Sequence, residues 1–193
     1  MPLPRASLVI PITGLPRALE ARAAVHDVRV RENYKRNGDW VWRDWKGYKA
    51  SVASGELRIE GLPGALVQAT LLVPGFVAGL NEPVLLQDRL ETRAPPIELT
   101  SGSMIRLRVE APEGVPLPAQ VGFDVWRVSD HTLILFTSQE ELEKGVWVLS
   151  GLPAGSFQVR ADAGSGFQCE PIPVTVGEAA PAETTLRLVP RRE

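Results

Sequence analysis

Aromatic and basic side chains crowd into one short part of the chain, an enlarged hairpin between residues 31 and 55. The set that could bind a ligand is Tyr34, Trp40, Trp42, Arg43, Trp45 and Tyr48. Indole and phenol rings stack on sugar rings or on partner side chains, and a neighbouring arginine donates hydrogen bonds. The pattern therefore predicts a binding platform for a protein partner or a glycan. The alternative is that the rings cap the end of a fold or cover a seam between domains, because large aromatic side chains are mostly buried.

The turn of this hairpin is predicted at Asn37-Gly38, a dipeptide typical of two-residue β-turns. Side chains two residues apart in a strand share a face, so Trp40 and Trp42 are expected on one side of the outgoing strand. Val41 and Arg43 are expected on the other side.

Groups that could catalyse a reaction are sparse. His26 adjoins Asp27 and His131 adjoins Asp130, but neighbours in a strand point to opposite faces and cannot act together. The single cysteine, Cys169, has no CxxC partner and no adjacent base. The chain also lacks a Gly-Lys-Ser/Thr phosphate loop and the alternating Asp/Asn/Gly pattern of a calcium loop. We therefore expect no enzyme activity, no cofactor and no metal site.

Composition excludes further classes. A net charge of −2 gives no positive field that would attract nucleic acid, so we expect no nucleic-acid partner. The longest apolar stretch, residues 71–80, is broken by Pro74-Gly75, so no transmembrane segment is expected. One cysteine cannot form an intramolecular disulfide, so each domain must be held by its own core. Nothing in the sequence indicates the oligomeric state.

The segments that would form the strands around these residues occur twice in the sequence. Gly61-Leu62-Pro63 and Gly151-Leu152-Pro153 each follow an alternating run and precede an apolar one. Further matches pair residues 8–12 with 105–109, 28–30 with 126–128, 82–86 with 172–176, and 97–99 with 186–188. A repeat of this length predicts two copies of one domain, residues 1–100 and 101–193. The first copy carries about eight extra residues in its central hairpin, by comparison of the offsets between matched segments.

Alternation of apolar and polar residues with a period of two predicts strands throughout, and the 17 glycines and 17 prolines suit the turns between them. One segment is ambiguous: residues 138–144 fit either a short helix capped by Ser138 or a charged hairpin tip. Trp126 and Trp147 lie apart from the aromatic set and are expected in the core or between sheets.

The order of these motifs resembles the carboxypeptidase regulatory-like domain, a small transthyretin-like β-sandwich. The likeness is strongest in the second copy, at residues 116–119, 151–159, 174–176 and 186–188. The first copy departs from it at Ala65, where the second has Gly155, and the Asp-x-x-Gly turn is missing from both. The resemblance implies an all-β chain of two tandem Ig-like, transthyretin-like Greek-key sandwiches joined by a short linker. In each, the leucine of Gly-Leu-Pro would plug the open end of the sandwich.

The resemblance implies a non-catalytic accessory module. We therefore predict a structural or interaction module of a bacterial extracytoplasmic or cell-surface assembly that presents loops and strand edges to a protein partner. Two alternatives stay open: a carbohydrate-binding module that uses the aromatic set, and an accessory domain pair of a larger carboxypeptidase-like or outer-membrane receptor polypeptide. The expectation of export rests on the resemblance. Residues 5–15 resemble a signal peptide only faintly, because they contain Pro11.

Overall fold

The computed structural model describes residues 5–33, 40–177 and 181–191, and almost all of their regular structure is β-strand. The helix among them is a 3-10 helix, Arg17–Arg22. Alternation explains the strands directly: in Ser103–Glu110, Ile105 and Leu107 are buried while Arg106 and Arg108 between them are exposed. The prediction of an all-β fold is confirmed.

The chain divides into two compact units. The first comprises Met1–Pro74 and Ala78–Thr100, and the second comprises Gly75–Val77 and Ser101–Glu193. The short segment Gly75–Val77 thus belongs to the second unit, whereas the predicted boundary at residue 100 placed it in the first.

The first unit is a sandwich of two sheets. Its strands are β1 (Ala6–Thr13), β2 (Ala24–Asn33), β3 (Trp40–Asp44), β4 (Lys49–Ala53), β5 (Glu56–Leu62), β6 (Leu66–Leu72), β7 (Gly79–Leu80), β8 (Val84–Leu85), β9 (Glu91–Arg93) and β10 (Ile97–Glu98). One sheet has the order β10-β1-β5-β4, with β9 also paired to β1, and the other has the order β3-β2-β6-β7, with β8 also paired to β6. One face of each sheet is buried, by residues such as Leu8, Ile59, Val28 and Val67.

The second unit repeats this plan. Its strands are β11 (Ser103–Glu110), β12 (Gly122–Arg127), β13 (Ser138–Glu143), β14 (Val146–Leu152), β15 (Gly155–Asp162), β16 (Phe167–Cys169), β17 (Ile172–Val176) and β18 (Ala182–Pro190). They form sheets of order β13-β14-β11-β18-β16 and β12-β15-β17. Side chains from both sheets, including Leu107, Leu149, Val125 and Phe157, build one core. Burying each such side chain contributes roughly 1.5–3 kcal/mol.

The repeated Gly-Leu-Pro triplet forms the same irregularity in both units. Gly61 is skipped in the pairing of β1 with β5, and Gly151 is skipped in the pairing of β11 with β14, so each is the extra residue of a β-bulge. Their φ angles are +85° and +81°, which glycine adopts without steric strain. Leu62 and Leu152, which follow, are fully buried. The predicted plug by leucine fits this burial, and the bulge explains why glycine precedes it.

The helical interpretation of residues 138–144 is wrong. Ser138–Glu143 is strand β13, which pairs with β14 at the edge of its sheet. Glu140, Glu141 and Glu143 are all exposed. The hairpin with β14 satisfies backbone groups that a seven-residue helix would leave largely unpaired, and an edge strand tolerates charge on both faces.

The predicted alignment of residues 28–30 with 126–128 is wrong by one residue. Val28 lies opposite Ala69 on β6, and Val125 lies opposite Val159 on β15, so Val125 is the equivalent of Val28. A shift of one residue moves a side chain to the other face of a strand. Trp126 therefore lies on the outward face of its sheet rather than in the core.

The two tryptophans outside the aromatic set have different surroundings. Trp126 is half-buried, and the guanidinium of Arg160 lies 5.0 Å from the centroid of its ring, held there by Asp124 at 2.7 Å. Trp147 packs edge-on against Phe123 of the other sheet, with ring centroids 5.7 Å apart. The expected position between sheets is thus correct for Trp147 alone.

Candidate functional site

The structure separates those members of the predicted aromatic set whose side chains it describes. Trp42 lies on β3 at the edge of its sheet, opposite Arg31 of β2, and is 38% exposed. Next to it on the same face, Arg29 contacts the carboxylates of Asp27 at 3.2 Å and Asp44 at 3.7 Å. Trp42 is therefore part of a charged, solvent-exposed sheet face.

Trp45 and Tyr48 lie in the link by which the chain leaves β3 and enters β4, and thus passes from one sheet to the other. The indole N–H of Trp45 donates a hydrogen bond to the carbonyl oxygen of Gly61 at 3.1 Å, and its backbone N–H donates to Val28 at 2.7 Å. Both aromatic side chains are half-buried. These hydrogen bonds and this burial support the alternative interpretation, in which aromatic rings cap one end of the sandwich.

Of the remaining members of the set, the structure describes the side chain of Arg43. Arg43 is exposed and lies opposite Val30 of β2. Because Arg43 directly follows Trp42 in the strand, the two side chains point to opposite faces of the sheet, as predicted. Trp40 begins β3, but its side chain lies outside the described residues, as do Tyr34 and the turn predicted at Asn37-Gly38.

The edges of the sheets differ in how they are protected against pairing with another chain. Edge strands of soluble proteins carry prolines, charges, bulges or interruptions for this purpose. Such features occur at the β7/β8 edge (Pro83), the β9/β10 edge (Pro95 and Pro96), β17 (Pro173) and β13 (its three glutamates). Strand β12 is partly bridged by residues 132–134, and β16 has only three residues.

Strand β4 carries one of these features, the charge of Lys49 at its first position, and no proline, bulge or interruption. Its sequence is Lys-Ala-Ser-Val-Ala, it pairs with β5 over its full length without a bulge, and it ends its sheet. Lys49, Ala50, Ser51 and Ala53 are exposed and Val52 is half-buried. The only charge stands at the first position, so the middle of the strand offers its backbone to a partner.

The hairpin geometry identifies the backbone groups that β4 leaves unpaired. Ser54 (φ +54°) and Gly55 (φ +72°) form a two-residue turn of the type I′ kind between β4 and β5. The pair that closes such a turn exchanges both hydrogen bonds, and hydrogen-bonded pairs then alternate along the ladder. The N–H and C=O groups of Ala50 and Val52 therefore point away from β5. The carboxylate of Glu20 accepts hydrogen bonds from the N–H groups of both turn residues and fixes this arrangement.

The equivalent edge of the second unit is built in the opposite way. Strand β13 occupies the position of β4 in its sheet, but its pairing with β14 shifts register between Glu141 and Glu143. A bulge twists an edge strand away from regular pairing, and a row of carboxylates disfavours an incoming strand. The two copies of one sandwich thus differ at the same place: the edge of the second unit is bulged and carries three glutamates, whereas the edge of the first is regular and carries a single lysine.

A cationic cleft lies at the first residue of β4. It has a volume of about 220 Å³ and is lined by Arg5, Gly47, Lys49, Glu60 and Gly61. Lys46, next to Gly47, is also exposed. Within the described residues, Arg5, Lys46 and Lys49 form no ion pair.

Other arginines of the same sheet, by contrast, are paired with carboxylates. Arg58 contacts Glu91, and Arg93 contacts Glu56. The hydrogen bond and the charge of Glu91 raise the pKa of the Arg58 guanidinium above its ordinary value. Arg5 and Lys49 of the cleft, which form no such pair among the described residues, are therefore available for a partner.

The residues whose side chains could take part in catalysis do not lie close together. His26 is exposed on β2, and His131 is exposed in a turn with φ +54°. Asp130 is engaged in that turn: the backbone N–H of Thr132 donates to its carboxylate at 3.0 Å, and this bond, with the charge of Arg127, lowers the pKa of Asp130. Cys169 is buried. Within the described part of the chain, no group of His, Cys, Asp and Glu residues could hold a metal ion.

The features that sequence reasoning missed are the exposed edge of β4 and the cleft beside it. Residues 49–53 contain no aromatic or catalytic group that would indicate a binding site in the sequence. The signal in the sequence was the difference between copies, because residues 49–53 have one charge where 138–143 have three. Among the helices of the described residues, none has the length and apolarity needed to cross a bilayer.

Comparisons with known proteins add a likeness of fold. Protein-family models gave no match, so the resemblance to the carboxypeptidase regulatory-like domain stays a prediction, and curated proteins gave none either. Similar solved structures include a streptococcal ancillary pilin at 11% identity and a TM-score of 0.35, with 95% of this chain and 68% of that chain covered. A minor pilin of Streptococcus agalactiae is 15% identical with a TM-score of 0.36, and 98% of each chain is covered. A double mutant of the shaft pilin of Lactobacillus rhamnosus GG is 9% identical with a TM-score of 0.34, and 99% of each chain is covered. At these scores the likeness says nothing about what the chain binds.

Proposed function

We propose that the chain is a non-catalytic protein-binding module that accepts an extended segment of a partner along strand β4. The observation that carries the proposal is the regular, nearly uncharged and exposed edge of β4 in the first unit, at the position where the second unit has a bulged and acidic strand. Main-chain hydrogen bonds from such an edge supply affinity for an added strand, and neighbouring side chains supply selectivity. By the family resemblance alone, we place this module in an extracytoplasmic assembly.

The rest of the molecule suits a rigid support for this edge. The turn at Ser54 and Gly55 is held by Glu20, and the link before β4 is held by Trp45. Both ends of β4 are therefore fixed before a partner arrives, which lowers the entropy lost on binding.

A glycan-binding function has less support. The indole N–H of Trp45 is already bonded to Gly61, and Tyr48 is half-buried in the same link, whereas Trp42 lies on a sheet face. The described part of the aromatic set thus does not form one flat platform for a sugar ring.

A proline in β4 tests the proposal. Peptides would be selected from a displayed library against the full chain and then measured for binding to Ala50→Pro and Ala50→Val. Because the N–H of Ala50 points away from β5, proline removes a donor to the partner without breaking the ladder inside the unit. We expect Ala50→Pro to weaken binding at least about tenfold, and Ala50→Val, which keeps the N–H, to bind as the parent does.

Unfolding curves of both variants serve as the control for folding. If Ala50→Pro remains folded and binds the selected peptides as tightly as the parent, strand addition at β4 is wrong. The same conclusion follows if no extended peptide is enriched.

A further inference from the structure

We infer that the segment accepted by β4 is acidic on its outer face, with a carboxylate placed in the cleft between Arg5 and Lys49. This inference rests on the proposed function and adds the chemistry of the partner. Its basis is that the cleft adjoins the exposed edge directly, since Lys49 is both the first residue of β4 and part of the lining.

The register of the sheet determines which side of the partner meets these cations. Lys49 and Ser51 lie opposite Glu60 and Arg58, on the outer face of the sheet. A strand added beside β4 continues the pleat, so every second side chain of the partner lies on that outer face. The partner residue beside Lys49 therefore points to the same side as the ammonium group, close enough for a cross-strand charge pair.

The inner side calls for different chemistry. Ala50 and Val52 lie opposite Ile59 and Leu57, both fully buried, so their side chains are on the core-facing side of the sheet. Ala50 is nevertheless exposed and Val52 half-buried, because no strand follows β4. Small or medium apolar residues of the partner would cover this surface. The accepted segment is thus expected to alternate acidic and apolar residues.

Charge in the cleft favours a carboxylate over other groups. Arg5 reaches the bulge glycine: a methyl group on Gly61 would lie 3.3 Å from its guanidinium and 3.2 Å from the carbonyl oxygen of Gly47. The lining of the cleft thus holds two cations, Arg5 and Lys49, against one carboxylate, Glu60. A basic partner would be repelled, whereas an acidic one would offset the excess positive charge.

Synthetic peptides test this inference. Three capped peptides alternate valine with glutamate, with glutamine or with lysine, and their Kd values for the full chain are measured at low and high salt. The variants are Lys49→Gln, Arg5→Gln and, as a matched control, Arg108→Gln. Arg108 is an exposed arginine on β11 of the second unit, opposite Thr185, so its loss changes the net charge equally but not the cleft.

We expect the glutamate peptide to bind about fivefold tighter than the glutamine peptide at low salt, and the lysine peptide to bind weakest. Lys49→Gln and Arg5→Gln should each reduce the preference for glutamate about two- to fivefold, and 1 M salt should abolish it. Arg108→Gln should leave it intact.

Equal binding of the glutamate and glutamine peptides would overturn the inference, as would an effect of Arg108→Gln as large as that of Lys49→Gln. In either case, continued sensitivity to Ala50→Pro would leave strand addition at β4 standing. Peptides that bind Ala50→Pro and parent alike would instead refute both.

Discussion

Replacing Gly151 with alanine will destabilise the second unit by about 3–5 kcal/mol, far more than the same change at Gly61 destabilises the first. Both glycines have φ near +80°, which an alanine adopts at a cost of roughly 1–2 kcal/mol. At Gly151 the added methyl group would also collide with the side chain of Thr137 and lie 2.5 Å from the carbonyl oxygen of Phe76. At Gly61 the nearest atom is 3.2 Å away, so we expect a total of about 1–2 kcal/mol there.

Unit-resolved amide hydrogen exchange measures both effects, because each unit reports its own free energy of opening. Gly164→Ala is the matched control: this glycine has φ +81° and open space around its Cβ position, so it isolates the backbone term. Equal losses of stability for Gly151→Ala and Gly164→Ala would contradict the close packing around Gly151.

Leu62→Ala and Leu152→Ala will each destabilise their own unit by about 2–5 kcal/mol. Both leucines are fully buried directly after the bulge glycine. Truncation removes apolar surface that was buried and leaves a cavity, because the surrounding strands relax only partially into the space. Similar values for the two variants are expected because both sandwiches use the residue in the same way.

Urea titrations, followed by signals from each unit, give the free energies of unfolding. Leu133→Ala, at a leucine that is 54% exposed, provides the control and should change stability by less than about 0.5 kcal/mol. A loss below about 1 kcal/mol at either Leu62 or Leu152 would contradict the plug role at that end of the sandwich.

The fold was largely predictable because the information for it is local. Alternation with a period of two marks strands such as β5 and β15, and the repeated Gly-Leu-Pro marks their equivalence. The ambiguity at residues 138–144, where a helix and a hairpin were both open, also has a local cause: a serine followed by three glutamates suits the first turn of a helix as well as a solvated edge strand. Pairing with β14 decided between them, and pairing is not local.

The candidate site was poorly predictable because it depends on the order of strands. Nothing in the residues of β4 shows that it ends a sheet, and the cleft joins Arg5 to Lys49 across 44 positions of sequence. The aromatic set illustrates the same limit. Trp42 and Trp45 are three residues apart, but the chain leaves one sheet between them, so the two side chains serve different surroundings.

Hydrogen exchange at the amides of Ala50 and Val52 tests strand addition at β4 most directly. In the free chain these two amides should exchange fast, because their N–H groups point to solvent. On saturation with the alternating glutamate and valine peptide, we expect both to slow at least about tenfold while the amides of β13 do not change. Slow exchange of Ala50 and Val52 in the free chain, or protection that arises at β13 instead, would contradict a partner strand on β4.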